Sequence, residues 1–532
     1  MTDHLDKGLR QGLDPDVAAV LQDWAELHDR YYALERWLVN GRSRAPVAVV
    51  NETDEVAVTS RLLVLKVLHA EDGRLHELEY KRHRLAVREA PEFAERHLTT
   101  FEHEAIAAGS GRWITFQTIA GKHLPDTEVL TVLLRRMLRI TIEHEPAGTL
   151  GVTCTPEIFA DACRSIVHGV LHNWAGPPYV APTTAWTVPE FLRAHIGDQL
   201  APGGRLFDVA SRHQGDELHL LEEPGPLPSP FAVAKGEYFA TGVTLHPFVG
   251  RTHGDLHTDN ALVMVRPFDV RSFFLIDTAL YEQQGPVARD PVHFVLYIIA
   301  RAAEKETLSS AQFDALIDLL LDPEEGPRHL VPGWLSLVIR QVHDEAIAWV
   351  KPTGLETRWR QQTLLSFVGC AMLFLGRTST PETAKLWFLR LAARAAAKFE
   401  REYPNASRRQ ARTVTATNRT GKDTIGWLCR HYPDLERRAG ELGRAAEAEQ
   451  LRTDALGGIE RAEDLREFVR QMGGPQFDPR FGTPGSEGEF EPDVHHCPLH
   501  LCRRLEQRAP GGPVPLCHLS RTEPRRMLAD AG

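Results

Sequence analysis

The chain has 532 residues, 42% of them hydrophobic and 25% charged, enough apolar sequence for a large core and for more than one domain. A formal net charge of −11 provides no overall basic field for nucleic acid, and seven cysteines over this length are too sparse for a disulfide scaffold. Residues 1–16 carry charges where a signal peptide needs an apolar core, and the most apolar run, 364–375, is shorter than the ~20 residues of a bilayer span; the expectation is a cytoplasmic protein, off the membrane, with that run buried as a helix.

From residue 15 to 38, apolar positions fall at helical spacing (Val17, Val20, Leu21, Trp24, Leu27), and Pro15 suits a first helical turn. Stretches at 47–50 and 61–68, β-branched and leucine-rich, predict strands, with the polar 51–54 opening the connection between them; a helix follows over 75–88. Residues 112–119 alternate as another strand, Ala120-Gly121 breaks it, and 128–142 is a helical run, completing a small mixed lobe. Helices are expected at 159–174 and 187–196, with Pro-rich loops at 175–184 and 222–231; the segment 143–252 is long enough to shape a substrate pocket. From 291 to 403 the pattern is helical almost throughout, a second and larger lobe.

The fold class expected is therefore α+β: an N-terminal helical segment (1–30), a small β-rich lobe (31–142) and a large helical lobe (143–403). A basic linker and Glu-, Arg- and Ala-rich helices occupy 404–472, a Gly-, Pro- and Glu-rich linker 473–494, and a Cys/His-rich tail 495–532.

The candidate chemistry lies in His253-Gly-Asp-Leu-His-Thr-Asp-Asn260. Phosphoryl transfer asks a protein for positioned phosphates, a divalent metal and a carboxylate facing the accepting hydroxyl. Asp255 and Asn260 stand five apart, a spacing that suits a catalytic carboxylate followed by a metal ligand, and Gly254 permits a tight turn beside them. Seventeen residues on, the apolar run Ser272-Phe-Phe-Leu-Ile276 ends on Asp277, the expected second Mg²⁺ ligand. Upstream, Lys66 sits inside an apolar strand, where a charge needs a task; holding ATP phosphates is the task proposed, with Glu79 its chosen partner and Glu77 the alternative. Gly41 and Ser43 lie before the two strands, where a phosphate-covering turn belongs. His253 and His257 are read as packing the loop rather than binding metal.

On these residues the chain resembles the aminoglycoside phosphotransferase and choline kinase branch of the protein kinase-like superfamily, whose loop reads His-Gly-Asp-Leu-His-x-x-Asn. Gly41-Arg-Ser43, Val64-Leu-Lys66, the loop and Ile276-Asp277 together look most like bacterial ternary-complex-associated kinase-like domains, linked to conflict and signalling systems, over residues 31–403. The resemblance implies a two-lobed fold with ATP in the cleft, Asp255 as base, Asn260 and Asp277 on Mg²⁺, and a further downstream aspartate, here Asp290, expected to be structural. Thr278 departs from the aromatic residue that usually follows the metal-binding aspartate.

The acceptor is left as a hydroxyl on a small molecule or a protein. The rival reading is a nucleotide-binding pseudokinase, a non-catalytic subunit that recruits protein partners through its C-terminal region. In the tail, Cys497, Cys502 and Cys517 with His518 form either a Zn²⁺ site or a set of reduced thiols without one.

Overall fold

The computed structural model describes residues 3–403 apart from 39–45, 55, 70–74, 122, 124–125, 139–152, 181–184, 214, 221–222, 240–242 and 304–307. Beyond these it describes 432–433, 435–456, 468 and short strand segments between 494 and 529. The chain divides into two compact units, Met1–Arg409 and Gln410–Gly532. The first is mixed α+β, with a small antiparallel sheet and a larger helical part.

The sheet has five strands: β1 (Arg30–Trp37), β2 (Val47–Asp54), β3 (Thr59–His69), β4 (Ile106–Ala107) and β5 (Arg112–Thr118), in the order β1-β2-β3-β5-β4. Along β3 the two-residue period turns Leu63, Leu65 and Val67 to one face, where they are buried with Ala48, Val50, Ile114 and Phe116 of the flanking strands. Helices α1 (Lys7–Gly12) and α2 (Pro15–Leu27) supply Leu9, Val17 and Leu21 to the same core. Lys66 therefore lies on the opposite face, level with Val47 on β2 and Thr115 on β5.

Three expectations shift here. The helical spacing from residue 15 stops at Leu27, and residues 30–37 pair with β2 instead, because Tyr32 is buried under α2 and its backbone completes the sheet edge. The polar 51–54 continue β2 rather than opening a loop. Residues 127–129 form a strand, β6 (Thr127–Val129), before helix α5 (Leu130–Met137) begins, since Leu262, Val263 and Met264 offer them a paired edge.

Helix α3 (Leu75–Glu89) sets Glu79 against Lys66 on that opposite face and leads through α4 (Pro91–His97) to the second core. There, strands β7 (Val249–Thr252) and β10 (Glu282–Pro286) pair with each other, and β8 (Ala261–Val265) pairs with β6 and with β9 (Phe268–Leu275). The segments 253–260 and 276–281 thus join the same two strand pairs and must run side by side. Around them pack α6 (Pro156–His168), a π-helical turn Gly169–Trp174, α7 (Val188–Ile196), α8 (Phe207–Arg212), α9 (Pro230–Lys235) and α10 (Arg289–Ala303). Helices α11 (Ser310–Leu321), α12 (Gly333–Val350), α13 (Glu356–Gly376) and α14 (Glu382–Glu402) complete this part. The apolar run 364–375 is buried inside α13, as its composition predicts. No described helix is long and apolar enough to cross a membrane.

The second unit contains a helix, Ala445–Leu456, whose Ala448 shares a small core with Ala439 and Phe468. It also has a strand Val494–His496 between Leu505–Gln507 and Leu528–Ala529, and a second pair, Leu516–Cys517 with Arg525–Arg526.

Candidate functional site

Lys66 projects from β3 toward α3, its Nζ 3.5 Å from Glu79 Oε1, with Glu79 almost wholly buried. Burial alone would lower the Lys66 pKa, but the charges of Glu79 and Asp277 outweigh it and raise the value. Asp277, on the β9–β10 loop, thus lies within electrostatic reach of Lys66. Glu79 is the partner of Lys66; the side chain of Glu77 lies outside the described residues. One turn further along α3, His83 Nδ1 is 3.0 Å from Thr278 Oγ1 and Arg82 donates to the Ala279 carbonyl at 2.7 Å, so the helix clamps the segment after Asp277. Burial pulls His83 down to about 4, leaving it neutral near pH 7.

The loop after β7 is held from beneath by Asp290 at the start of α10. Its carboxylate accepts the backbone N–H of His253 at 2.7 Å and that of Gly254 at 2.9 Å, and is itself fully buried. Asp290 is thus structural, as expected, and burial raises its pKa against the pull of His253. Gly254 has φ +80, and a Cβ there would sit 2.1 Å from the Leu280 carbonyl oxygen, so both conformation and space require glycine. The Asp255 N–H reaches His253 Nδ1 at 3.3 Å, which leaves Nε2 to donate to the Ile276 carbonyl at 3.0 Å and ties the two loops together. His257 accepts the Asp259 N–H at 3.2 Å and stacks on Tyr297 at 4.3 Å. Both histidines pack the loop, and His257 also faces Asp255.

Asn260 Nδ2 donates to the Asp255 carbonyl at 3.0 Å, so its Oδ1 remains the acceptor atom. The Ile276 N–H donates to the Asn260 carbonyl at 3.0 Å, and Ala261 faces Leu275 across the β8–β9 hairpin. Asn260 and Asp277 therefore stand at the same end of that hairpin. Asp277 holds φ +61, a costly conformation for a non-glycine residue that recurs at functional sites. Among the described residues its carboxylate accepts no hydrogen bond.

The Asp255 side chain is 30% exposed and faces three basic groups. Arg377 Nη2 is 3.3 Å and His293 Nε2 3.6 Å from Oδ1, and His257 Nε2 is 3.5 Å from Oδ2. Burial would push the carboxyl up, but the contact with His257 and the charge of Arg377 hold it well below the usual carboxylate range. His293 is pulled down to about 3 by burial and by Arg377, hence neutral; its Nδ1–H donates to the Leu256 carbonyl at 2.9 Å and its Nε2 accepts from Arg377 at 3.0 Å. Arg377 itself lies over the rings of Phe374 (4.6 Å) and Tyr297 (5.7 Å). Asp259 does not face the site: the Thr131 and Tyr297 hydroxyls and Arg301 (2.7 Å) bind it and fasten the loop to α5 and α10.

The structure thus brings together Lys66, Glu79, Asp255, Asn260 and Asp277. Gly41 and Ser43 lie outside the described residues, as do Cys497, Cys502 and His518; of Cys517 only the backbone, in its short strand, is described. Sequence reasoning missed Arg377 and His293. His293 follows Asp290 by three positions and Arg377 ends the buried helix α13, but neither sits in a local pattern that points at Asp255. An apolar cavity of about 310 Å³ lies among α10–α13, lined by Val295, Leu320, Ile339, Val342 and Phe367. None of the loop residues lines it, so it is no part of this site. Compared with known proteins, the chain matches no protein-family model and no curated protein.

Proposed function

We propose that the chain is an ATP-dependent phosphotransferase of the kinase-like type, its sheet and helical part forming the two lobes. The observation that carries the reading is the convergence of a Lys66–Glu79 pair on Asp277, beside a loop that presents Asp255 and Asn260. Lys66, kept cationic by the two carboxylates, would bind nucleotide phosphate oxygens. The oxygen donors Asn260 Oδ1 and Asp277 fit Mg²⁺, because both are hard and neither is consumed by a hydrogen bond among the described residues. When bound, the metal supplies charge neutralisation for the phosphates.

Asp255 would accept a hydrogen bond from the acceptor hydroxyl and orient it in line with the γ-phosphorus. The acceptor O–P bond forms as the β–γ bridging P–O bond breaks, ADP leaves with that electron pair, and the hydroxyl proton passes to the Asp255 carboxylate. Arg377 keeps that carboxylate ionised and aimed, while the neutral His293 accepts from Arg377 and holds it in place. Such a depressed pKa suits an orienting group that takes the proton late, not a strong base.

The test is transfer from labelled ATP to a panel of hydroxyl compounds and proteins, with Mg²⁺ present and then removed by chelation. Mg²⁺-dependent phosphoester formation supports the reading. Tight ATP binding with neither transfer nor hydrolysis replaces it with the non-catalytic nucleotide-binding subunit; no ATP binding at all overturns both.

A further inference from the structure

Helix α6 ends on His168, and the next four residues begin the π-helical turn Gly169–Trp174, which contains His172. The two imidazoles lie parallel, ring centroids 4.4 Å apart and planes 16° from each other. Both lie close to one atom of a different helix: Glu345 Oε1 on α12 is 2.7 Å from His168 Nδ1 and 3.2 Å from His172 Nε2. The three donor atoms all fall within 4.8 Å of one another.

As a set of hydrogen bonds this arrangement is incomplete. His168 bonds Glu345, but His172 Nε2 is screened from solvent and makes no hydrogen bond, although the carboxylate oxygen is close. A buried ring nitrogen left in that state is uncommon and costs stability. As a set of metal ligands it is nearly complete. Bonds of about 2.0–2.2 Å from a tetrahedral ion separate its ligand atoms by about 3.4 Å, and the 2.7 and 3.2 Å from the two nitrogens to Glu345 Oε1 need only small shifts to match it.

We infer that His168, His172 and Glu345 form a binding site for a zinc-class divalent ion, joining α6 and its π-helical turn to α12. Two imidazole nitrogens and one carboxylate oxygen select late first-row divalent ions over Mg²⁺ and Ca²⁺, which prefer all-oxygen shells. His168 is half exposed, which gives the ion a way in and leaves a fourth position to water. The π-helical turn is the kind of local widening that recurs at functional sites. Two residues beyond His172, Trp174 stacks against Phe93 (4.9 Å) and Tyr281 (5.6 Å) and meets His253 edge-on at 6.0 Å. The ion therefore acts as a structural clip on the turn that carries Trp174 under the loop. The site stands apart from the proposed phosphotransfer chemistry and does not depend on it.

Its test uses the full chain stripped with chelator, then titrated with Zn²⁺ and with Co²⁺ while metal content and melting temperature are followed. Replacing Cys497, Cys502 and Cys517 by Ser removes thiolate competition from the tail. In that background one equivalent of zinc should still bind and raise the melting temperature, and Co²⁺ should give d–d absorption without thiolate charge-transfer bands. His168→Gln, at a half-exposed position that tolerates the change, and Glu345→Gln, which keeps side-chain size, should each weaken binding by more than the ~10-fold that even an outer-shell partner can supply. Comparing the unmodified chain with His168→Gln gives the same answer without touching the tail: one equivalent is lost. No zinc binding in the background that lacks the three tail cysteines, or unchanged stoichiometry and affinity in both variants, overturns the site.

Discussion

Two carboxylates in the first unit, Glu52 in the sheet and Asp255 in the loop between β7 and β8, are each surrounded by basic side chains, Glu52 by the Tyr32 hydroxyl as well, and they differ in what is left free. Glu52 is 1% exposed; Tyr32 donates to it at 2.5 Å, Arg61 Nε at 2.8 Å, and His103 contacts the same oxygen as Tyr32. Its lone pairs are occupied by the protein. Asp255 is 30% exposed, and Arg377, His293 and His257 stand 3.3–3.6 Å from its oxygens. In both cases the partners outweigh burial and hold the carboxyl low, Glu52 at about 2. A depressed pKa therefore does not separate a structural acid from a functional one here. What sets Asp255 apart is its open edge, which under the proposed function lets a hydroxyl approach without displacing a short hydrogen bond.

The comparison breaks first at Asp255. Asp255→Asn preserves shape and removes charge, so ATP binding and the melting temperature should hold while transfer falls on the order of 10²–10⁴-fold, the range for a positioned acid–base group. Unchanged turnover with an active acceptor would remove Asp255 from the chemistry. Asp277→Ala sharpens the same point: Mg²⁺-dependent ATP affinity should disappear, measured by titration with and without the metal.

Asp290 tests the opposite role, an acid whose work is wholly structural. Asp290→Ala leaves the N–H groups of His253 and Gly254 buried without an acceptor, at ~1–3 kcal/mol each. Denaturant unfolding should report a loss of about 2–6 kcal/mol in all, visible in the absence of any substrate. A loss of activity at full stability would instead assign Asp290 to the reaction.

Glu52→Gln should cost ~1–3 kcal/mol and leave transfer per folded molecule unchanged. The sign of its pH dependence follows from the depressed value. Its stabilising contribution is complete above the ordinary carboxylate pKa of 4.5 and is lost as pH falls toward about 2, where the folded protein also takes up the proton. Unfolding curves across that window should steepen for the parent relative to the variant; parallel curves would mean that the Tyr32–Arg61–His103 contacts do not stabilise the ionised form.

How much of this was legible depended on how far apart in the chain the partners lie. The strand at 61–68 follows from its β-branched, leucine-rich run, and Lys66 stood out because a charge interrupts it; Asp255, Asn260 and Asp277 are joined by one hairpin, so their spacing already implied their proximity. The boundary at Leu27 was not legible, because residues 30–37 become a strand through pairing with β2, a tertiary gain that helical spacing does not encode. The His168–His172–Glu345 cluster was missed for a similar reason: the histidine spacing is local, but Glu345 arrives from a helix more than 170 positions away.

Arg377 belongs to that distant class and gives the smallest effect. It touches Asp255 only because α13 ends beside the loop, and it acts on the site through that carboxylate and His293. Arg377→Met keeps the apolar contact with Phe374 and removes the cation. An opposite charge at this range lowers an aspartate by ~1–3 pKa units, so its loss should move the acid limb of the transfer–pH profile upward by about one unit or more. The direction is fixed: without the cation the carboxylate protonates at higher pH, and activity is lost earlier on acidification. At neutral pH Asp255 stays ionised in the variant, supported by His257, so the fall in rate should be far smaller than for Asp255→Asn. Arg377→Lys should restore most of the parent profile, because it returns the charge without the planar fork. An acid limb that does not move in the Met variant, or one that Lys fails to move back, would mean that Arg377 packs beside Asp255 without tuning it.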